Sequence, residues 1–363
     1  MKYYIIAGEV SGDLHGSFLM QSILEQDLEA EFRYWGGDKM KGINGEPVKH
    51  IKELAFMGFV AVVKNIRTIL KNIAFCKKDI ESFQPDIIVL IDYPGFNLRI
   101  AQWAKSKSYK VAYYIAPQVW AWKEKRVEKL KLFVDKLMVI LPFEQKFFKE
   151  KGMEVDYVGH PLIQVKAAHQ YSSSFRLDNN LSDLPIIALL PGSRKQELER
   201  LLPKFNQLEE YFPQFQFIIA GISPNTLEDY HVANIKIVFD QTYDLLNNAE
   251  AAVVTSGTAT LETALHNVPQ VVVYEGTRVL YEIGKRLVKV PFISLVNLIA
   301  ERKVVKELIQ DECTIENIQF QLFTLLKDST KVKKGYAAVV KKLGDQNAAK
   351  NAASIIFDCS KSK

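Results

Sequence analysis

Short apolar runs recur along most of the chain, separated by longer stretches in which apolar positions return every three or four residues. The runs at residues 3–7, 87–91, 111–115, 137–140 and 155–158 read as strands in the first half, and those at 186–190, 215–220, 235–238, 251–254 and 270–273 in the second. They lack polar alternation, as strands buried on both faces do. Helical periodicity between them implies βαβ units and parallel sheets, an α/β fold. The alternation pauses at residues 166–184, "KAAHQYSSSFRLDNNLSDL", a polar stretch that reads as a linker. The expected organisation is a domain over 1–165 and a similar one over 185–330. A lysine-rich helical tail over 331–363 either returns to the first domain or crosses to a second subunit.

Open parallel sheets bind ligands at the carboxyl ends of their strands, so those positions carry the candidate chemistry. After the run at 186–190, "PGSRKQEL" places Gly192, Ser193 and Arg194 at a helix start. Free N–H groups there and a fixed guanidinium suit an anionic oxygen, although a capped helix with a surface arginine has the same sequence. After 251–254, "TSGTATLE" offers Ser256, Gly257 and Thr258 for close approach of a diphosphate. Glu262, on the same helix face as Thr258, offers a carboxylate for ribose hydroxyls; ordinary hydroxyl capping is the alternative. In the first half, "IDYPGFN" puts Asp92 at the mouth of a very apolar strand. A partly buried carboxylate there suits a general base, and a turn aspartate before a proline is the competing reading. "IAPQVWAW" adds Gln118, Trp120 and Trp122, as core aromatics or a wall for sugar rings, and "VGHP" adds His160, a residue type more often structural than catalytic when alone.

The first strand runs into "AGEVSGDLHG". Its glycines repeat as GxxxGxxxG, so the loop lacks the GxGxxG dinucleotide fingerprint. Gly8, Glu9, Ser11, Gly12 and Asp13 stand at the mouth of a parallel sheet, and from spacing alone a phosphate cradle or another role there stays open.

Composition narrows the classes. The chain has 363 residues, long enough for two cores, and 47 basic against 42 acidic side chains, a balance too mild to argue nucleic acid. Its three cysteines, Cys76, Cys313 and Cys359, are far apart and form no CxxC pair, which disfavours a disulfide framework and fits a reducing, cytoplasmic compartment. No apolar run reaches the roughly 20 residues a membrane-spanning helix needs. Neither a Walker A loop nor an HExxH pattern occurs, so no metal or other cofactor is expected; backbone N–H groups and Arg194 are left to handle phosphate. Residues 56–78 carry Phe59, Val62, Val63, Ile66 and Leu70 at helical spacing with Lys64, Arg67, Lys71 and Lys78 on a separate stripe. That pattern fits a helix lying in a membrane interface, and equally one packed on the sheet with a basic outer face.

With these residues in view, the chain closely resembles the lipid-A-disaccharide synthases. The shared stretches run nearly end to end and include "AGEVSGDLHG", "LAFMGFVAVV", "IDYPGFN", "PQVWAWKEKRV", "LPFEQKFF", "LPGSRKQEL", "SGTATLE" and "SLVNLIAERKVVKELIQDE". The resemblance implies a GT-B fold, two Rossmann-like domains facing across a cleft. It implies inverting transfer from UDP-2,3-diacylglucosamine to 2,3-diacylglucosamine 1-phosphate, at the inner-membrane surface of a Gram-negative cell. It also implies Asp92 as the base, Arg194 as a stabiliser of departing UDP, Ser256, Gly257, Thr258 and Glu262 as diphosphate and ribose contacts, and Asn297 as a donor-site residue. With those nucleotide anchors in the second half, Gly8, Glu9, Ser11, Gly12 and Asp13 are expected on the acceptor side, the glycines admitting a sugar phosphate and Glu9 and Asp13 facing its hydroxyls. Some relatives carry a second acid after the proline of the aspartate motif, where this chain has Gly95. A UDP-N-acetylglucosamine 2-epimerase and a non-catalytic nucleotide-sugar sensor are the competing functions. A homodimer and a monomer are both compatible with the sequence.

Overall fold

The computed structural model describes residues 1–54, 66–122, 124–223, 225–230, 235–278, 281–282 and 290–361, the side chain of Trp122 excepted. The described chain divides into two compact units. One comprises Met1–Pro161 with Asp345–Lys363, the other Leu162–Gly344.

The first unit is built on a seven-stranded parallel sheet: β1 (Lys2–Ala7), β2 (Glu31–Gly36), β3 (Glu46–His50), β4 (Ile87–Ile91), β5 (Val111–Tyr114), β6 (Lys136–Val139) and β7 (Asp156–Tyr157). Their spatial order is β3-β2-β1-β4-β5-β6-β7. β4, "IIVLI", is buried throughout because helices cover both faces of the sheet. Each face has its own apolar cluster, one around Ile6, Leu90 and Phe148, the other around Ile5, Val89 and Met138.

The second unit repeats the plan with six parallel strands: β8 (Ile186–Leu190), β9 (Gln216–Gly221), β10 (Lys236–Phe239), β11 (Ala249–Thr255), β12 (Gln270–Tyr274) and β13 (Lys306–Ile309). They are ordered β10-β9-β8-β11-β12-β13. Strand order therefore reverses once per sheet, between β1 and β4 and between β8 and β11. Such switch points open the crevices where ligands bind.

The apolar-run reading misses β2, β3 and β13, whose sequences are interrupted by charge. In β2, Arg33 is accommodated because its guanidinium forms a bidentate pair with buried Asp79 (2.6 and 2.8 Å). β3 and β13 are edge strands, which tolerate polar residues and, in β3, Pro47.

The expected linker at 166–184 needs correcting. It lies inside the second unit, where Phe175 is buried in the core and Ser172 N–H donates to Asp244 Oδ1 at 2.7 Å. The tail divides as well. The helix Thr330–Leu343 stays in the second unit, whereas Ala348–Lys361 returns to the first. There Ala352, Ala353 and Ile356 pack with Leu19 and Ile5, and Asn351 Nδ2 donates to Val158 O at 3.1 Å.

The first loop is shaped by packing. A Cβ on Gly8 would run into the Tyr93 ring, and one on Gly16 would sit 2.7 Å from Met40 Sδ. Asp13, only 3% exposed, accepts from the N–H groups of Gly37 (2.6 Å), Lys39 (3.0 Å) and Met40 (3.1 Å), capping the short helix Asp38–Lys41. Replacing Asp13 with Ala strands three donors, two of them buried, and should cost about 2–4 kcal/mol of unfolding free energy. A denaturant midpoint within error of wild type would contradict that role.

Candidate functional site

In the first unit, β4 delivers Asp92 to the switch point in an uncommon backbone state. Asp92 has φ +42° and Tyr93 φ +50°, and at the end of the neighbouring β5 the β-branched Ile115 has φ +63°. Left-handed conformations are costly for such residues and concentrate where surrounding structure over-determines them. Here the determinants are visible. The Asp92 carbonyl accepts from Tyr113 Oη (2.6 Å) and from Nδ2 of fully buried Asn97 (2.7 Å), while its N–H donates to Tyr114 O (3.2 Å). The backbone is thereby held, and the carboxyl faces a cavity of about 280 Å³ at the ends of β4, β5 and β6. Gln118, Arg126 and Glu144 are its other polar lining residues.

Burial, reinforced by nearby Glu9, raises the Asp92 carboxyl from 3.8 to about 6. Glu144, 1% exposed, is raised to about 7, again by burial, although it accepts from Trp120 Nε1 (2.9 Å) and the N–H groups of Leu141 (2.9 Å) and Ile140 (3.2 Å). Trp120 is thus a core aromatic tied to Glu144. Of the remaining loop residues, Ser11 is exposed and Glu9 partly exposed. Asp13 departs from expectation, because its carboxylate is committed to the backbone and cannot face a sugar. Gly8 and Gly12 likewise serve packing, against Tyr93 and Ala7. His160 is buried, and burial with neighbouring His15 lowers it to about 3, so it stays neutral.

The second unit brings its two predicted loops together at its own switch point. Gly192 has φ +98°, and a Cβ there would collide with Glu197. Ser193 and Arg194 are exposed; Arg194 Nη1 donates to Glu197 Oε1 at 2.8 Å. Across the switch, Gly257 and Thr258 are exposed at the start of the helix Thr258–Leu265, and Ser256 Oγ donates to Ile293 O at 2.8 Å. Glu262, raised by burial, accepts from Tyr243 Oη at 3.2 Å. Asn297, expected in the donor site, is a buried support among the described residues. It is 0% exposed, its Oδ1 accepts from Val304 and Val305 N–H, and its Nδ2 donates to Val305 O and Glu307. Glu307 also accepts from Ile293 N–H, so this network lies behind Ser256.

Arg126, Glu144, Tyr113 and Tyr243 escaped the sequence reading. The first two follow the ends of β5 and β6, where the strand-end rule would have pointed. Tyr113 and Tyr243 act through hydrogen bonds that no spacing announces.

On the helix Ile66–Phe83, Ile66 (41%), Leu70 (54%) and Phe75 (49%) are exposed, with Arg67, Lys71 and Lys78 on the solvent side, while Ile73, Cys76 and Ile80 face the core. Phe59, Val62 and Val63 lie outside the described residues. Among the described residues no helix is long and apolar enough to cross a membrane, and no group of three His, Cys, Asp or Glu side chains is placed to hold a metal.

Two parallel-sheet units, each with its loops at a switch point, are the architecture of the GT-B fold. Solved structures agree on the fold. The UDP-GlcNAc 2-epimerase of Neisseria meningitidis, solved bound to UDP-GlcNAc, matches with TM-score 0.68 at 12% identity, over 99% of both chains. The glycosyltransferase of kitacinnamycin matches with TM-score 0.67 at 11% identity, over 99% of this chain and 98% of that one. Sequence identifies the family. Residues 3–356 match the lipid-A-disaccharide synthetase family. The lipid-A-disaccharide synthase of Geobacter metallireducens is 38% identical over 374 residues, covering 98% of this chain and 97% of the relative. That of Coxiella burnetii is 34% identical over 372 residues, with coverages of 98% and 97%. The chain belongs to the lipid-A-disaccharide synthase family, and is a hexosyltransferase of lipid A biosynthesis.

The raised Asp92 value has a thermodynamic consequence. A carboxyl at about 6 when folded and 3.8 ordinarily binds its proton more tightly in the native state. Its ionisation therefore destabilises the fold, with no cost below about pH 4 and the full cost above about pH 6. Asp92→Asn should raise unfolding free energy by about 1–3 kcal/mol at pH 7.5, and that gain should vanish near pH 4. Urea melts at both pH values check this; a variant no more stable at pH 7.5 would refute the burial account.

Proposed function

We propose that the enzyme transfers 2,3-diacylglucosamine from its UDP conjugate to 2,3-diacylglucosamine 1-phosphate in one inverting displacement, with Asp92 as general base. The observation that carries this reading is a carboxyl at about 6, fixed by its backbone and open to a cavity. It is ionised at neutral pH yet more basic than an ordinary aspartate, as a general base should be. The acceptor 6-hydroxyl gives its proton to Asp92 as its oxygen bonds to the anomeric carbon. The anomeric carbon–oxygen bond breaks with its electron pair going to UDP. Attack opposite the leaving group inverts the anomeric centre, giving the β-1′,6 linkage.

Negative charge grows on the β-phosphate, and the N–H groups at Gly192–Ser193 and Gly257–Thr258 are suited to receive it, the Arg194 N–H being held by Glu197. Arg194 supplies a cation there. Its exposed pairing with Glu197 is worth only about 0–1 kcal/mol, so a diphosphate displaces it readily. Glu262 takes the ribose hydroxyls, with Ser256, tied to Ile293, completing the turn. These donors handle the phosphate charge without a metal in this reading, so a chelator should leave the rate unchanged. The acyl chains ask for a lipid surface. The exposed Ile66 and Leu70 beside Arg67 and Lys71 fit one, which would place the enzyme peripherally on the cytoplasmic membrane face.

Asp92→Asn should lower turnover by at least about 10³-fold while UDP affinity by calorimetry holds, and wild-type kcat/KM should fall with unit slope below about pH 6. Product analysis by mass spectrometry should show the disaccharide and UDP, with no turnover of plain UDP-N-acetylglucosamine; near-normal Asp92→Asn activity would sink the base assignment. Serine at the exposed Ile66 and Leu70 should release the protein from anionic liposomes in flotation without lowering its melting temperature, whereas continued flotation would reject that docking surface.

A further inference from the structure

The cavity beside Asp92 contains a cation that the displacement just described does not use. Arg126 opens the helix Arg126–Phe133 and lines the cavity with its side chain half-buried. Burial disfavours its charged form. Arg33 pairs with Asp79 and Glu46, Arg176 with the carbonyls of Ser182 and Leu184, and Arg194 with Glu197, whereas Arg67, Arg99 and Arg302, which show no side-chain partner among the described residues, are exposed to solvent. Arg126 has no side-chain hydrogen bond or ion pair among the described residues; its electrostatic neighbour is the Tyr113 hydroxyl. The two cavity carboxyls leave it aside. Glu144 is taken by Trp120 and two backbone N–H groups, and Asp92 makes no ion pair with Arg126 among the described residues.

We propose that Arg126 is the anion site of the acceptor, binding a phosphate monoester on the sugar whose hydroxyl faces Asp92. This rests on the acceptor-pocket reading given under Proposed function. A partly desolvated guanidinium without a counter-ion is a cost that a ligand anion removes, and its planar fork matches two phosphate oxygens. At about 280 Å³ the cavity lies near the lower bound of ligand pockets, roughly 300–1,000 Å³, so it holds a sugar headgroup and leaves acyl chains outside. Base and cation in one small cavity would fix a sugar at two points, its phosphate at Arg126 and its hydroxyl at Asp92. A dianion held there would also strengthen the base, since a nearby negative charge raises a carboxyl further.

The test compares the full-length enzyme with Arg126→Ala and Arg126→Lys on two acceptors, 2,3-diacylglucosamine 1-phosphate and the corresponding 1-O-methyl glycoside, with one donor. Wild type should prefer the phosphorylated acceptor by about 100-fold in kcat/KM, the order expected of one charge-assisted contact. Arg126→Ala should lose that preference, with little change on the methyl glycoside, in UDP affinity or in melting temperature, and Arg126→Lys should retain part of it. If no form turns over the methyl glycoside, affinity of Asp92→Asn for the phosphorylated acceptor is compared with that of Asp92→Asn/Arg126→Ala, and a loss of at least tenfold is expected. Equal losses on both acceptors, weakened UDP binding (a donor-diphosphate contact), or retained discrimination or affinity overturns the Arg126 site alone. Absence of disaccharide from wild type with either acceptor instead overturns the functional reading beneath it.

Discussion

Two hydrogen bonds onto one carbonyl oxygen, from Tyr113 Oη and Asn97 Nδ2, hold the Asp92–Tyr93 turn in the left-handed region, and the chemistry of the first unit depends on that turn. Released into ordinary β or α geometry, the chain would carry the carboxyl to a different place. Left-handed geometry at two consecutive non-glycine residues costs on the order of 1–3 kcal/mol each. The sheet can sustain that cost because β4 is buried along its length and Asn97 is fully buried beneath the turn. Tyr93 in turn lies over Gly8 so closely that any side chain there would collide, which ties the first loop to the same turn.

This dependence changes what the first loop is for. Its glycines read as an invitation to a phosphate, yet Gly8 and Gly16 make room for Tyr93 and Met40, and Asp13 caps a helix. Glu9 is the loop member with an electrostatic effect on the site, helping to raise Asp92. A comparable exchange occurs in the second unit. Asn97 and Asn297 are both fully buried amides that shape loops, and Asn297 stands one layer behind the turn that carries Ser256. In both units the residues that meet solvent at the switch point are few, and a larger set of buried polar groups holds them there.

Much was legible in the sequence because the governing physics is local. Strands covered on both faces must be apolar throughout, so β1, β4, β5, β8, β11 and β12 announce themselves, and the ends of β4, β8 and β11 lead straight to Asp92, Gly192–Arg194 and Ser256–Glu262. Shared stretches nearly end to end named the family. β2 was obscured because its Arg33 is neutralised by Asp79, 46 positions away, and no periodicity shows a partner so distant. The boundary near residue 161 was obscured for a related reason: a serine-rich stretch looks like a linker until Phe175 and Asp244 are seen to anchor it.

The sequence by itself determined the α/β class, the family and the strand ends that carry chemistry, since each follows from residue type at short range. Only the tertiary structure decided which polar residues face a cavity and which face the backbone. Asp13 and Asp92 have the same side chain at similar strand-end loops. One is consumed by three N–H groups from a helix 24 residues away, and the other is left open beside Arg126 and Glu144. Which of the two fates applies depends on groups that folding brings near, and so on long-range packing.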